Sequence, residues 1–186
     1  MIPLKLTISG IYSYRSKQEI DFRTLAANNM FGIFGAVGSG KSTILDAITY
    51  ALYGRVDRLG QKERVNFNMM NLSSNTMEID FEFMVGDKEY RSYVSTRRNG
   101  KNYDEVIKSY STFSQKIDGK WVPIDLDENP DAIEQVVGLS YENFSKVIVI
   151  PQGKFREFLS MTSAKRTEMI QNRTITFGSA QPFSSK

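Results

Sequence analysis

MFGIFGAVGSGKSTILDAITYALYG, residues 30–54, decides the fold. Its first five residues, 30–34, form a compact apolar run of the kind a buried strand shows. From Lys41 onward, Ile44, Leu45, Ile48, Leu52 and Tyr53 recur at helical spacing, and Gly54 is a helix stop. Between the two, Gly35-Ala36-Val37-Gly38-Ser39-Gly40-Lys41-Ser42 fits G-x-x-x-x-G-K-[ST]. Glycines let backbone N–H groups turn inward around a phosphate without Cβ clashes. The helix that begins here presents unpaired N–H groups and the positive end of its dipole to the same anion. Lys41 reaches the β- and γ-phosphates as a compact charge, and the Ser42 hydroxyl is suited to magnesium. A chance match in a chain of this length is under about 1% at average residue usage. The expected class is therefore α/β, a P-loop NTPase binding a nucleoside triphosphate.

Outward from this core, residues 2–8 and 18–22 read as short strands around a polar turn. From residue 77 the period changes to two: Met77, Ile79, Phe81, Phe83 and Val85 alternate with Glu78, Asp80, Glu82 and Met84. Gly86-Asp87, Asn99-Gly100 and Asp118-Gly119 punctuate the next stretch, so 77–123 is expected to be an antiparallel meander of about four strands. Asn129-Pro130 reads as a helix start, with Asn as cap and Pro in the first helical position. Ile133, Val136 and Val137 are its expected buried stripe, and Gly138 its end. Ser140 caps a second short helix carrying Tyr141 and Phe144. Residues 146–150, KVIVI, read as a buried strand leading into Pro151-Gln152-Gly153, with a helix over 153–160.

Composition narrows the chemistry. The chain of 186 residues has no His and no Cys. That removes thiolate nucleophiles, a His general base, the usual zinc sites and a Ser-His-Asp triad. A metal must sit on oxygen ligands, which points to magnesium or calcium. The net charge of +3 permits contact with nucleic acid but is too small to argue for it. No apolar stretch is long enough to span a bilayer, and the N-terminus carries no signal-peptide pattern, so the cytoplasm is the expected location.

The phosphate loop running into KSTILDAITYALYG, then about 110 residues later YENFSKVIVIPQGKFREFL, resembles the SbcC family of bacterial DNA-repair ATPases, of the SMC-like, ABC-type class. The resemblance covers residues 1–170 in order and spacing, and its PQG-F-FL stretch is similar to that family's Q-loop. It implies the N-terminal lobe of an ABC-type ATPase head, with ATP and Mg2+ as ligands. Ala36, Val37, Gly38, Ser39, Gly40, Lys41, Ser42 and Thr43 would hold the phosphates and magnesium. Lys41 and Gln152 would be the catalytic pair, Ser42 and Gln152 the metal ligands, with Gln152 sensing the γ-phosphate. By residue chemistry alone, a strand-end Gln more often bonds backbone or water. Tyr12, Ser13 and Tyr14 would lie near the nucleotide. Eukaryotic and archaeal members tend to carry Arg and His around that Ser, where this chain has two Tyr. Implied partners are a C-terminal lobe of the same head, an SbcD-like nuclease, double-stranded DNA and a second head in a nucleotide-dependent homodimer.

Several parts of such a head are not found in the sequence. Gly138-Leu139-Ser140-Tyr141-Glu142 starts like a signature loop but lacks its glycines. Trp121–Glu128 resembles a Walker B strand, yet Pro123 interrupts it. With no His, a switch His cannot come from these residues. The expectation is a truncated chain, a lobe over 1–170 with a disordered tail over 171–186, that binds nucleotide and hydrolyses ATP negligibly. The rival readings are a small phosphoryl-transfer enzyme such as a nucleoside kinase, and an SMC-type or other fragment acting only as a nucleotide-binding or dimerisation module. Arg91, Tyr93, Ser95 and Arg97 share one strand face, with Arg98 and Lys101 adjoining. That set reads either as a DNA-backbone patch or as an ordinary surface in which Arg91 pairs with Glu82 across the strands.

Overall fold

The computed structural model describes residues 1–24, 33–36, 38–56, 59, 65–102 and 106–147. The chain divides into two compact units, Met1–Tyr141 and Glu142–Lys186. The first carries a six-stranded sheet: β1 (Ile2–Ser9), β2 (Gln18–Asp21), β3 (Thr76–Val85), β4 (Lys88–Arg98), β5 (Val106–Ile117) and β6 (Lys120–Ile124). The order is β2-β1-β3-β4-β5-β6, and all five pairings are antiparallel. The helices are α1 (Lys41–Tyr53), α2 (Val65–Met69), α3 (Ala132–Val137) and α4 (Tyr141–Val147), the last crossing the unit boundary.

The period-two pattern works as read. Leu4, Leu6, Ile8, Met77, Ile79, Phe81, Phe83, Tyr90, Val94 and Phe113 are buried on one face of the sheet. Phe83 stacks against Phe81, Tyr90 and Phe113 with centroids 5.2, 5.8 and 6.3 Å away. Such aromatic contacts each add about 0.5–1.5 kcal/mol beyond area burial. α1 packs on this face: the Ser92 hydroxyl donates to Ala51 O at 2.6 Å. Burial pushes the Tyr50 phenol up to about 12, against a hydrogen bond with Thr96 that lowers it. The helix is closed by Gly54 at φ 64°, whose N–H donates to Tyr50 O at 2.8 Å.

The turn expectations divide. At Gly86-Asp87, Val85 faces Lys88, so the turn has two residues and puts Glu82 opposite Arg91. Asp118 and Gly119 both have positive φ, 50° and 77°, the geometry a tight hairpin needs. Asn99-Gly100 does not close a two-residue hairpin. Arg98 faces Val106, and the Asn99 carboxamide instead accepts from Lys101 N at 2.9 Å, a local turn that competes with strand pairing.

Other boundaries are corrected. α3 starts at Ala132, with Asp131 rather than Asn129 before it, and the Asn129 carboxamide exchanges hydrogen bonds with the Gln135 side chain at 3.4 and 3.3 Å instead of capping the helix. Ile133, Val136 and Val137 are only half-buried. On α1, Ile44 and Leu52 are buried and Ile48 and Tyr53 half-buried as the stripe predicts, while Leu45 is exposed and Thr43, Ala47 and Tyr50 widen the inward face. Lys146 and Val147 are helical rather than strand, and the rest of that expected strand, the helix expected over 153–160 and the tail over 171–186 lie outside the described residues. Pro123 lies inside β6 and does not break it, since β6 is an edge strand and an edge tolerates a missing N–H. Of the strand expected over 30–34, residues 30–32 lie outside the described residues, while Ile33 and Phe34 carry no regular structure and Phe34 is 94% exposed. The described sheet offers only antiparallel ladders between adjacent strands, and none reaches this segment. The five-residue α2 has no counterpart in the sequence reading.

Candidate functional site

The glycine loop takes the backbone its residues permit. Gly38 and Gly40 sit at φ 83° and 87°, in the left-handed region open to glycine at little cost. Gly40 is the residue before α1 and has no side chain to cap it, so the first amides of the helix are not consumed by a local cap. Thr43 N donates back to Gly40 O at 3.0 Å and Ser39 N to Ala36 O at 3.2 Å. The Lys41 ammonium is held across the loop by Gly35 O and Ala36 O, both at 2.7 Å, and by the Ser39 hydroxyl at 3.4 Å. A Cβ on Gly35 would stand 2.7 Å from Ser39 Oγ. Ser42 is exposed and Thr43 buried, so the Ser42 hydroxyl is the accessible one in the first helical turn.

The turn after β1 touches this loop. Ile11 N donates to Tyr14 O at 3.0 Å and Tyr14 N to Ile11 O at 2.8 Å, closing a tight reversal with Tyr12 at φ 44° and Ser13 exposed at its tip. Tyr14 lies against Gly40. A Cβ there would be 2.7 Å from Tyr14 Cε2, and the Tyr14 hydroxyl donates to Gly40 O at 3.4 Å. The structure thus brings Tyr14, Ala36, Ser39, Gly40 and Lys41 together. Val37 and Gln152 lie outside the described residues. Among the described residues no group of three or more His, Cys, Asp or Glu could hold a metal, so an oxygen site here would draw on Ser42 and on the ligand's own phosphates. Among the described residues no helix is long and apolar enough to cross a membrane.

The basic strand face differs from its sequence reading. Glu82 is opposite Arg91, but Arg91 forks onto Asp80, with Nε–Oδ1 2.7 Å and Nη2–Oδ2 2.6 Å. Arg23 takes Glu82 at 3.0 Å. A planar guanidinium prefers the bidentate partner one step along the diagonal. The Asp80 hydrogen bond holds the Arg91 cation above its ordinary range. Arg98 does not adjoin the exposed face: it is 3% exposed, donating to Ser74 O at 3.2 Å and Asn71 O at 3.4 Å with its guanidinium 4.6 Å from the Phe67 ring centroid. Continuing the period-two pattern one residue past Arg97 is the signal that places it inward. Asn71, which bonds the turn after β1, carries no local sequence signal of that role.

A glycine loop wrapped on a lysine at the start of a helix, backed by an antiparallel sheet, defines a P-loop NTPase, and the AAA_23 family model, described as an AAA domain, matches residues 5–180. The chain belongs to that family. It is similar to the SbcC subunit of nuclease SbcCD from Bacillus subtilis (strain 168), 38% identical over 92% of this chain and 15% of the relative. The same subunit from Clostridium acetobutylicum is 36% identical over 92% of this chain and 14% of the relative. Among solved structures, the SMC head domain from Thermotoga maritima aligns with 71% of this chain and 42% of its own, at TM-score 0.45 and 22% identity. The chain thus spans about a seventh of the length of the curated relatives it matches.

Proposed function

We propose that this chain is the N-terminal, ATP-binding lobe of an SbcC-type DNA-repair ATPase, with the lobe over residues 1–170. The observation that carries the reading is the loop 35–42 closed around the Lys41 ammonium at the start of α1, in a chain whose relatives are SbcC subunits of the SbcCD nuclease. The residues fit a magnesium–triphosphate: two glycines with positive φ, a lysine at the loop mouth and an exposed hydroxyl one residue on. Bound nucleotide supplies the phosphoanhydride bond and the metal that screens its charge. The amides of 38–43, those of Ser39 and Thr43 after releasing Ala36 O and Gly40 O, would hold the β- and γ-phosphates with Lys41, and Ser42 would face the metal. Gln152 completes that shell, by the family pattern. Tyr12, Ser13 and Tyr14 flank the nucleotide.

The same reading makes the whole protein a cytoplasmic machine. Its C-terminal lobe, its SbcD-like nuclease and a second head join this lobe to couple ATP binding and hydrolysis to processing of double-stranded DNA ends. This chain has no His to contact a γ-phosphate, so it binds ATP and hydrolyses it negligibly by itself. Calorimetric titration with Mg-ATP, with and without a C-terminal lobe, tests this. Binding lost in Lys41→Ala, with hydrolysis appearing only in the mixture, is the expected result. Absence of binding at millimolar ATP would overturn the site, and robust hydrolysis by this chain alone would overturn the half-site reading.

A further inference from the structure

We infer that Asn71 and Arg98 are positioning residues for the phosphate loop, acting through the turn 11–14 and Tyr14. The inference rests on the reading of loop 35–42 as a nucleotide site and goes beyond it by naming what holds that loop in shape. A run of linked contacts carries it. Arg98, buried at the end of β4, donates to Asn71 O at 3.4 Å and to Ser74 O at 3.2 Å, and lies over Phe67 of α2. Asn71 N donates to Gly10 O at 2.8 Å, and its side-chain amide donates to Tyr12 O. Tyr12 N in turn donates to Met69 O at 2.8 Å. The turn so gripped ends in Tyr14, whose ring and hydroxyl meet Gly40.

The physical logic is preorganisation. Tyr12 is a non-glycine residue at φ 44°, a conformation that surrounding structure must enforce. Asn71 contributes to that enforcement, because its amide fixes the direction of the Tyr12 carbonyl. With that peptide fixed, the reciprocal Ile11–Tyr14 bonds set where the Tyr14 ring stands. The ring then limits the movement of Gly40, the residue whose backbone opens α1. Loop amides held in one arrangement lose less entropy when an anion binds. The same series joins the end of β4, 58 residues along the chain from Gly40 by number (98 against 40), to the phosphate loop.

The test is a double-mutant cycle on Mg-ATP affinity in the full 186-residue chain, with melting temperature recorded for every variant. Asn71→Asp keeps the acceptor used by Ser73 N and removes the donor to Tyr12. It is expected to weaken binding about fivefold, the effect of one net hydrogen bond. In a Tyr14→Ala background the same change is expected to have less than about a 1.5-fold effect, since its route to the loop is gone. A general loss of structure would lower melting in both backgrounds and give additive effects on affinity. Additivity, or an Asn71→Asp affinity within about twofold of the unaltered chain, overturns the inference. If Asn71→Asp does not fold, Arg98→Lys decides, since it disturbs the bond to Asn71 O: a loss of about two- to threefold that vanishes in the Tyr14→Ala background supports the coupling, and an unchanged affinity or a loss of the same size in both backgrounds overturns it. Lys41→Ala separates the two levels. If it binds ATP as well as the unaltered chain does, the nucleotide site itself is wrong.

Discussion

Gly10 and Gly54 share one dihedral and differ in everything around it. Both have φ 64°. An added Cβ at Gly54 meets nothing within 4 Å, whereas at Gly10 it would lie 1.9 Å from Thr76 O and 3.0 Å from Thr76 C. Gly54→Ala therefore tests the left-handed backbone alone, which costs an L-residue about 1–2 kcal/mol. Gly10→Ala carries the same cost plus a collision with backbone at the first residue of β3, where Thr76 pairs with Arg97. A carbonyl in a ladder cannot swing aside as a flexible side chain does, so β1 and β3 must part locally. Overpacking of that kind costs about 1–3 kcal/mol, bringing the total to about 2–5 kcal/mol. At about 2–4 °C per kcal/mol for a chain of this size, Gly54→Ala should lower the melting temperature by about 2–8 °C. Gly10→Ala should lower it by about twice as much or more. Circular dichroism melts and urea titrations of the two variants side by side measure the difference, which is the steric part alone. Equal losses at the two positions would refute the close approach of Gly10 to β3. Because Gly10 O also receives Asn71 N, Gly10→Ala should in addition weaken ATP binding, and Gly54→Ala should not.

Other outcomes rest on the same kinds of contact. The raised Tyr50 pKa, about 12 against 10, means the folded state holds this proton where the unfolded chain has released it. Its stabilisation is complete below a pH of about 10 and is lost as pH rises from there through about 12, about 2–3 kcal/mol in all. Urea midpoints of Tyr50→Phe should fall less steeply than those of the unaltered chain across that window, and parallel curves would contradict the assignment. Asp80→Asn breaks the forked pair with Arg91 on a half-exposed face, so it should cost under about 1 kcal/mol in urea titrations, less in high salt. Phe83→Ala removes the centre of the aromatic stack and should cost about 3–5 kcal/mol in chemical denaturation.

Legibility in the sequence tracks the range of the interaction. Alternation along Met77–Phe83 and the positive-φ pair Asp118-Gly119 are local, and they appear as read. The register that places Arg91 opposite Glu82 comes from one turn length and is also correct. Which carboxylate Arg91 takes is not local, because Arg23, 59 residues before Glu82, occupies that partner. Asn99-Gly100 shows the limit of a dipeptide signal: the Asn99 side chain can satisfy Lys101 N, and the strands then resume at Arg98 and Val106. Near the glycine motif, the backbone at Gly38 and Gly40 was legible because the motif encodes a shape, with glycines where φ is positive. The contact of Tyr14 with Gly40 joins residues 26 apart, and nothing in the motif specifies it.

That division bears on how the loop is held. A G-x-x-x-x-G-K-[ST] motif states which residues can surround a phosphate, and its glycines make the surrounding backbone easy to form and equally easy to lose. Rigidity has to be brought from outside the motif. Here Tyr14 on one side and the Lys41 bonds to Gly35 O and Ala36 O on the other bracket the loop. The Lys41 bonds must loosen for the ammonium to turn to a phosphate, whereas the Tyr14 contact need not. The lasting support therefore comes from the 11–14 turn and from Asn71 and Arg98 behind it. A substitution at Asn71 should accordingly alter nucleotide affinity more than its distance along the chain from Lys41 suggests.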